Sequence, residues 1–296
     1  MHELPDRHAG PGEVRIRVHA AAVNPTDTYT RNGARAEQLQ EFSPPYVPGM
    51  DVAGVLDEIG DGVSTGLTVG DRVMAIVVPQ GQHGGYCDSI VVPLGSVARA
   101  PAGTTHAQAA TLPMNGLTAR LALDLLGLLP GQVLAVTGAA GAFGGYMVQL
   151  GKADGLQVIA DAGEADEQLV KDLGADIVVR RGDDVALRFR QHFPDGVDAV
   201  ADGAVLHTLV LPACKDGGAV AGVRGFVGDT ERGITAHSVW VRNYSTEGAK
   251  LDRLRQQAED GTVTLRVART FPAEEAAEAH RLLEAGGVRG RLVIEF

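Results

Sequence analysis

The chain has 296 residues, with 26 Lys and Arg against 37 Asp and Glu, a formal net charge of −11 and 45% hydrophobic content. That length can bury more core than one domain usually needs, so two domains are expected, and the acidic balance excludes nucleic-acid backbones and anionic membranes as main partners. Only two cysteines occur, Cys87 and Cys214; they supply neither a disulfide framework nor a thiolate zinc site and suggest a reducing, cytoplasmic setting.

Residues 1–8 contain no apolar segment, so no signal peptide is expected there. Residues 13–19 place apolar side chains at every second position, the pattern of a half-buried strand. Residues 52–59, 72–78 and 86–92 are further strand-like runs separated by glycine clusters, which predicts a small barrel. Helical patterning begins over 106–112 and 116–128. The uncharged stretch 125–151 is long enough for a membrane span. Pro130, Gln132, Gln149 and the glycines between 138 and 145 interrupt it, so a buried strand and helix joined by a turn is the better reading.

From there strand and helix alternate: strands over 133–136, 157–160, 177–179, 197–201 and 219–223, helices over 143–152, 166–173, 184–193 and 205–214. This predicts βαβ units around a doubly wound parallel sheet. After residue 245 the texture becomes mixed again. Leu251, Leu254 and Ala258 share one helical face, Ala276, Ala279, His280 and Leu283 another, and residues 291–296 form a closing strand. The texture therefore changes near residue 105 and again near residue 245.

The strongest local motif follows the strand at 133–136. Thr137 leads into Gly138, Gly141 and Gly144 and then into an amphipathic helix. A diphosphate reaches a helix N-terminus only where no Cβ blocks the approach, and Gly144 also permits close packing of helix on sheet. A carboxylate that accepts the ribose 2′-hydroxyl is expected at the end of the second strand, where Asp161 and Glu164 lie and would favour NADH. Arg180 and Arg181 end the third strand and could meet a 2′-phosphate, so charge alone leaves the coenzyme open.

Other motifs carry less. Gly62-Val63-Ser64-Thr65-Gly66 matches a nucleophile elbow, but no helix follows it. The nine histidines show no metal-ligand spacing, and no metal site is expected. His83 stands apart because it lies in the glycine loop 81–85.

Several segments together resemble the medium-chain dehydrogenase/reductase superfamily, in its zinc-free quinone oxidoreductase (zeta-crystallin-like) branch. They are Pro11-Gly12-Glu13-Val14, the run 21–29 containing Asn24-Pro25-Thr26-Asp27, and Pro48-Gly49-Met50-Asp51-Val52-Ala53-Gly54. Val69-Gly70-Asp71-Arg72-Val73, Gly84-Gly85-Tyr86, Asn115-Gly116-Leu117-Thr118-Ala119, the glycine motif and Gly290-Arg291-Leu292-Val293 complete the series, which spans nearly the whole chain. The resemblance implies a Rossmann dinucleotide-binding domain over 106–244 inserted in a GroES-like barrel, the substrate domain, formed by 1–105 and 245–296. Zinc-dependent relatives hold their metal with a cysteine where this chain has Asn24 and a His-Glu pair where it has Met50-Asp51; the four-cysteine lobe is also absent. Neither an amide nor a thioether replaces thiolate and imidazole, so the acceptor must already be polarised.

The implied reaction is hydride transfer from NAD(P)H to a quinone or α,β-unsaturated carbonyl. By position, Asn24 and Thr118 would border the nicotinamide, and Gly138, Gly141, Ala142, Phe143 and Gly144 the diphosphate. Ala162, Gly163 and Glu164 would surround the adenosine ribose, and Arg181 the 2′-phosphate. Val223 and Arg224 would lie near the nicotinamide ribose and Arg291 at the diphosphate. Tyr29 would orient or protonate the substrate oxygen, since a phenol keeps its proton at neutral pH, and Asn24 would support the same oxygen. The branch suggests NADPH, although Asp161, Glu164 and Glu167 stand where NADPH users tend to carry Ser, Thr or Lys. It also suggests a homodimer formed through an edge strand near Val223. Relatives open with a β-hairpin ahead of the 13–19 strand; its absence would expose a sheet edge. An enoyl-thioester reductase and a non-catalytic NAD(P)H-binding protein are the alternative functions.

Overall fold

The computed structural model describes residues 3–296. It divides into two units, one formed by residues up to Met114 together with Arg242–Phe296, the other by Asn115–Val241.

The first unit is built on a mixed sheet of seven strands. β1 (Glu13–Ala22) is followed by two short helices, α1 (Pro25–Asn32) and α2 (Ala36–Leu39), then by β2 (Asp51–Ile59), β3 (Arg72–Ile76), β4 (Ser89–Pro93) and β5 (Val97–Arg99). In β1 the side chains of Val14, Ile16 and Val18 are buried while Arg15 and Arg17 point outward, the alternation a one-sided strand requires. β1 is central, pairing antiparallel with β2 and β4. Val14, Ile16, Val52, Leu56, Val73 and Val92 form the core beneath it. α3 (His106–Ala110) starts at Thr105, whose hydroxyl accepts the Gln108 N–H in a capping box. α4 (Pro113–Leu126) carries the chain into the second unit.

The second unit is a parallel sheet. β6 (Val133–Thr137), α5 (Ala142–Ala153), β7 (Gln157–Ala162), α6 (Glu167–Asp172), β8 (Ile177–Arg180), α7 (Val185–His192), β9 (Val197–Asp202), β10 (Cys214–Val223) and β11 (Thr235–Val239) follow in chain order. The strands lie side by side as β11-β10-β9-β6-β7-β8. Strand order therefore reverses between β6 and β9, and the loops after these two strands flank the crevice where open α/β sheets bind ligands. Leu134, Ala135 and Val136 of β6 are fully buried, as a strand covered on both faces demands. The chain returns to the first unit through α8 (Gly248–Glu259), β12 (Val267–Pro272), α9 (Ala276–Ala285) and β13 (Arg291–Glu295).

Four departures from the sequence reading have local causes. The segment expected to be helical over 205–214 is instead a 3₁₀ turn, His207–Ala213, with Pro212 inside it, where an α-helical hydrogen bond is impossible. The strand expected from residue 86 begins only at Ser89, because Gly85 and Tyr86 donate their N–H groups to Gly49 and Pro48. The strand ending at Val223 is not an edge: β11 pairs with it in parallel from Ala219 to Val223. α1 has no apolar period, and what marks its start is Asn24 with Asp27 three residues on and Pro25 at the first turn.

Candidate active site

In the second unit the crevice begins at the root of α5. Gly138 has φ +68°, in the left-handed region, and turns the chain sharply out of β6. At Gly144 a Cβ would lie 2.3 Å from the Gly138 carbonyl oxygen and 2.7 Å from the Ala139 Cα, so only glycine lets α5 approach the turn this closely. Gly141 caps α5 and differs: a Cβ there would meet only the Gly138 oxygen, at 3.1 Å, and otherwise open space. The first helical N–H groups and the positive end of the helix dipole thus face a cradle that a side chain would fill, which suits a diphosphate.

Two buried carboxylates frame the turn. Asp161, at the end of β7, accepts the Ala139 N–H at 3.2 Å. Burial raises its pKa, against the backbone N–H groups of Ala139 and Gly138, which lower it. Asp202, at the end of β9, is fully buried and accepts the Thr137 hydroxyl at 2.7 Å. Beyond Asp161, Glu164 pairs with Arg180 at 3.2 Å on the surface, and the Arg181 side chain lies over Gly163.

The first unit holds a second polar cluster. Asn24 donates from Nδ2 to Asp51 Oδ2 at 2.7 Å and to the Ala22 carbonyl at 3.3 Å. Asp51 also accepts the Met114 N–H at 2.5 Å. Asp27 accepts the Asn24 N–H at 2.7 Å and the Gly49 N–H at 2.8 Å. Tyr86 Oη lies 3.3 Å from Asp27 and 3.1 Å from His280 Nε2. Burial pushes Asp27 up to about 6 and Asp51 up to about 7, and the Arg291 guanidinium partly opposes it in both.

The predicted residues divide between the units. Thr118, Gly138, Gly141, Ala142, Phe143, Gly144, Ala162, Gly163, Glu164, Arg181, Val223 and Arg224 belong to the second, and the glycine turn, Asp161 and the β9 loop come together at one crevice. Asn24, Tyr29 and Arg291 belong to the first. Arg291 is buried, with its charge felt by Asp27 and Asp51, and both amide protons of Asn24 are directed at acceptors inside the barrel. His83 has its Nε2 2.9 Å from the Val91 carbonyl. Sequence reasoning missed Asp27, Tyr86, His280 and Asp202 as a polar framework. The Asn-x-x-Asp spacing at 24–27 was a usable capping signal; the others are joined only by the fold.

The chain matches the sequence profile of the alcohol dehydrogenase GroES-like domain over residues 10–119 and that of the zinc-binding dehydrogenase over 173–294. It is 30% identical over 331 residues to the NAD(P)H oxidoreductase RTN4IP1, mitochondrial, of Mus musculus, covering 96% of this chain and 82% of the relative. It is also 30% identical over 291 residues to the 2-methylene-furan-3-one reductase of Solanum lycopersicum, covering 95% and 71%. The solved quinone oxidoreductase from Coxiella burnetii superposes with a TM-score of 0.84 at 28% identity, covering 99% of this chain and 93% of that one. The zinc of the second profile's name does not fit the residues present. Asn24 spends its amide protons on Asp51 and Ala22, Met50 offers only a thioether, and zinc requires thiolate, imidazole or free carboxylate. Among the described residues no three His, Cys, Asp or Glu side chains are grouped to hold a metal ion. Sequence, fold and glycine crevice agree: the chain belongs to the medium-chain dehydrogenase/reductase superfamily, in its quinone oxidoreductase branch.

Proposed function

We propose that the protein is an NAD(P)H-dependent reductase of quinones or α,β-unsaturated carbonyls that works without a metal. The observation that carries this reading is the cradle at Gly141, open above a helix N-terminus at the sheet's switch point. When bound, the coenzyme supplies a hydride to the acceptor. The chain's own part is to bind, to orient and to support charge.

Gly138, Gly141, Ala142, Phe143 and Gly144 hold the diphosphate through backbone N–H groups. Ala162, Gly163, Glu164 and Arg181 surround the adenosine ribose, and Thr118, Val223 and Arg224 the nicotinamide end. Between the two coenzymes, the buried carboxylate of Asp161 favours a free 2′-hydroxyl over a phosphate dianion. That supports NADH against the NADPH expected from the branch. On the acceptor side, Tyr29 donates a hydrogen bond to the substrate oxygen as negative charge grows there. Asn24 gives its amide protons to Asp51 and Ala22, so it has none left for that oxygen and its part is to hold Asp51 in place, while Arg291 balances the Asp27 and Asp51 carboxylates.

The outer edge of β11 has no strand beside it among the described residues and supports a homodimer made by pairing two such edges. The free thiols Cys87 and Cys214 suit a reducing compartment such as the cytoplasm. No helix among the described residues is long and apolar enough to cross a membrane.

The test is paired titration with NADH and NADPH by nicotinamide fluorescence, followed by turnover with menadione, a conjugated enone and an enoyl-thioester, each with and without a chelator. The expected result is coenzyme binding and chelator-insensitive reduction of the quinone or enone. Turnover restricted to the enoyl-thioester overturns the acceptor assignment, and binding without any turnover overturns the enzymatic reading.

A further inference from the structure

Four non-glycine residues adopt left-handed backbone conformations among the described residues: Val205 at φ 60°, His207 at 54°, Arg224 at 65° and Arg232 at 52°. All four sit in the segments that follow β9 and β10. An L-residue in this region costs on the order of 1–2 kcal/mol, and a β-branched one such as Val205 is the least tolerant. Strain of this kind persists only where surrounding contacts impose it, and it collects at ligand sites.

At His207 the contacts that hold the loop can be followed one by one. Its N–H donates to Asp202 Oδ2 at 2.8 Å. The other oxygen of that buried carboxylate takes the Thr137 hydroxyl at 2.7 Å, and Thr137 is the residue before Gly138. The Thr137 hydroxyl also accepts the Ala204 N–H at 3.2 Å, and a Cβ on Gly138 would lie 3.1 Å from the Gly203 carbonyl carbon. The β9 loop is thereby tied to the glycine turn. On its far side, the Val227 N–H donates to His207 Nδ1 at 3.3 Å, and the imidazole meets the Phe226 ring edge-on at 6.2 Å and 81°. In this contact Nδ1 is the accepting nitrogen. One side chain therefore joins the loop anchored to the glycine turn with the loop that leaves β10.

We propose that His207 is a positioning residue for the coenzyme: its Nδ1 pins the loop from Val223 to Gly228 in register with the glycine turn, so that the nicotinamide half meets a preformed wall. This rests on the dinucleotide reading of the crevice. The adenosine half depends on the opposite side of the crevice, at β7, and does not draw on His207. Asparagine can present Oδ1 where Nδ1 stands and tolerates a left-handed φ. Glutamine places its polar atoms where Nε2 stands and leaves the Val227 N–H without an acceptor.

The experiment compares wild type with His207→Asn, His207→Gln and His207→Leu, using NADH and NADPH as full ligands and AMP as the adenosine fragment, alongside thermal unfolding of the unliganded proteins. The Gln and Leu variants are expected to weaken dinucleotide binding about three- to tenfold, the worth of one ordering hydrogen bond. AMP binding should stay unchanged, and the Asn variant should recover wild-type dinucleotide affinity. A Gln variant that binds like wild type overturns the proposal, as does an Asn variant no better than Leu. Parallel loss of AMP affinity also overturns it, because that would indicate general damage to the fold. Wild-type protein that binds neither coenzyme defeats the dinucleotide reading itself and the role of His207 with it.

Discussion

The Asn24 amide nitrogen stands 2.7 Å from a carboxylate oxygen of Asp51, and neither residue has any exposed surface. In metal-dependent relatives the matching positions would carry zinc ligands; here they hold each other. An amide and a carboxylate satisfy one another's hydrogen bonds, so this buried pair needs no cation to hold it together. Replacing Asp51 by Leu should destabilise the protein by about 1–3 kcal/mol, because the Asn24 amide and the Met114 N–H would lose a buried acceptor. Asp51→Asn should cost less, since an amide oxygen still accepts. Urea unfolding of the two variants measures the difference, and equal stability of wild type and the Leu variant would refute it.

Both Asp27 and Asp51 hold protons more tightly folded than unfolded, at about 6 and about 7 against an ordinary 3.8. The native state therefore binds more protons over that interval, and stability falls as pH rises through it. The contribution is complete below pH 3.8 and gone above about 7. Asp71 and Asp198, whose pKa values are lowered, act oppositely but only in more acid solution. Unfolding free energies measured across this range should decline toward neutrality, and Asp51→Asn should flatten the upper part of the decline. An unchanged slope in that variant would place the titration elsewhere.

The glycines of the turn should separate fold from binding. Gly144→Ala drives a Cβ to 2.3 Å from the Gly138 oxygen and should destabilise by about 1–3 kcal/mol. Gly141→Val meets little protein, so stability should change by less than about 1 kcal/mol, while coenzyme affinity falls by more than about tenfold. Nicotinamide fluorescence and thermal unfolding on the same samples decide it. Normal coenzyme binding by the Val variant would mean the diphosphate lies elsewhere.

Coenzyme choice should follow Asp161 and Arg181. Asp161→Ser removes a buried carboxylate from beside the ribose position and should raise the NADPH to NADH ratio of kcat/KM by about tenfold, some 1.4 kcal/mol of relieved repulsion. Arg181→Ala should weaken NADPH and leave NADH nearly unaffected. If Asp161→Ser moves both coenzymes equally, the carboxylate serves only the glycine turn, whose Ala139 N–H it accepts.

Much of the architecture was legible because local patterns repeat a physical necessity. The alternation in β1, the uniformly apolar β6 and the glycines at 138, 141 and 144 each state what one element must bury or leave open. α1, β11 and the turn at His207–Ala213 were not legible. α1 lacks an apolar face, β11 is a half-exposed strand, and Pro212 together with left-handed Val205 and His207 overrides a helical pattern that residue types alone suggest.

The sequence by itself determined the fold class and the place of the glycine turn, because strand periodicity and the need for a missing Cβ are properties of consecutive residues, and its ordered motifs carried the family resemblance. Only the tertiary structure decided the partners. Asn24 with Asp51, Tyr86 between Asp27 and His280, and Thr137 with Asp202 and His207 are joined across distant segments. Hydrogen bonds between buried side chains depend on atoms meeting within about 3 Å, and sequence spacing does not encode that distance once the chain has turned back on itself.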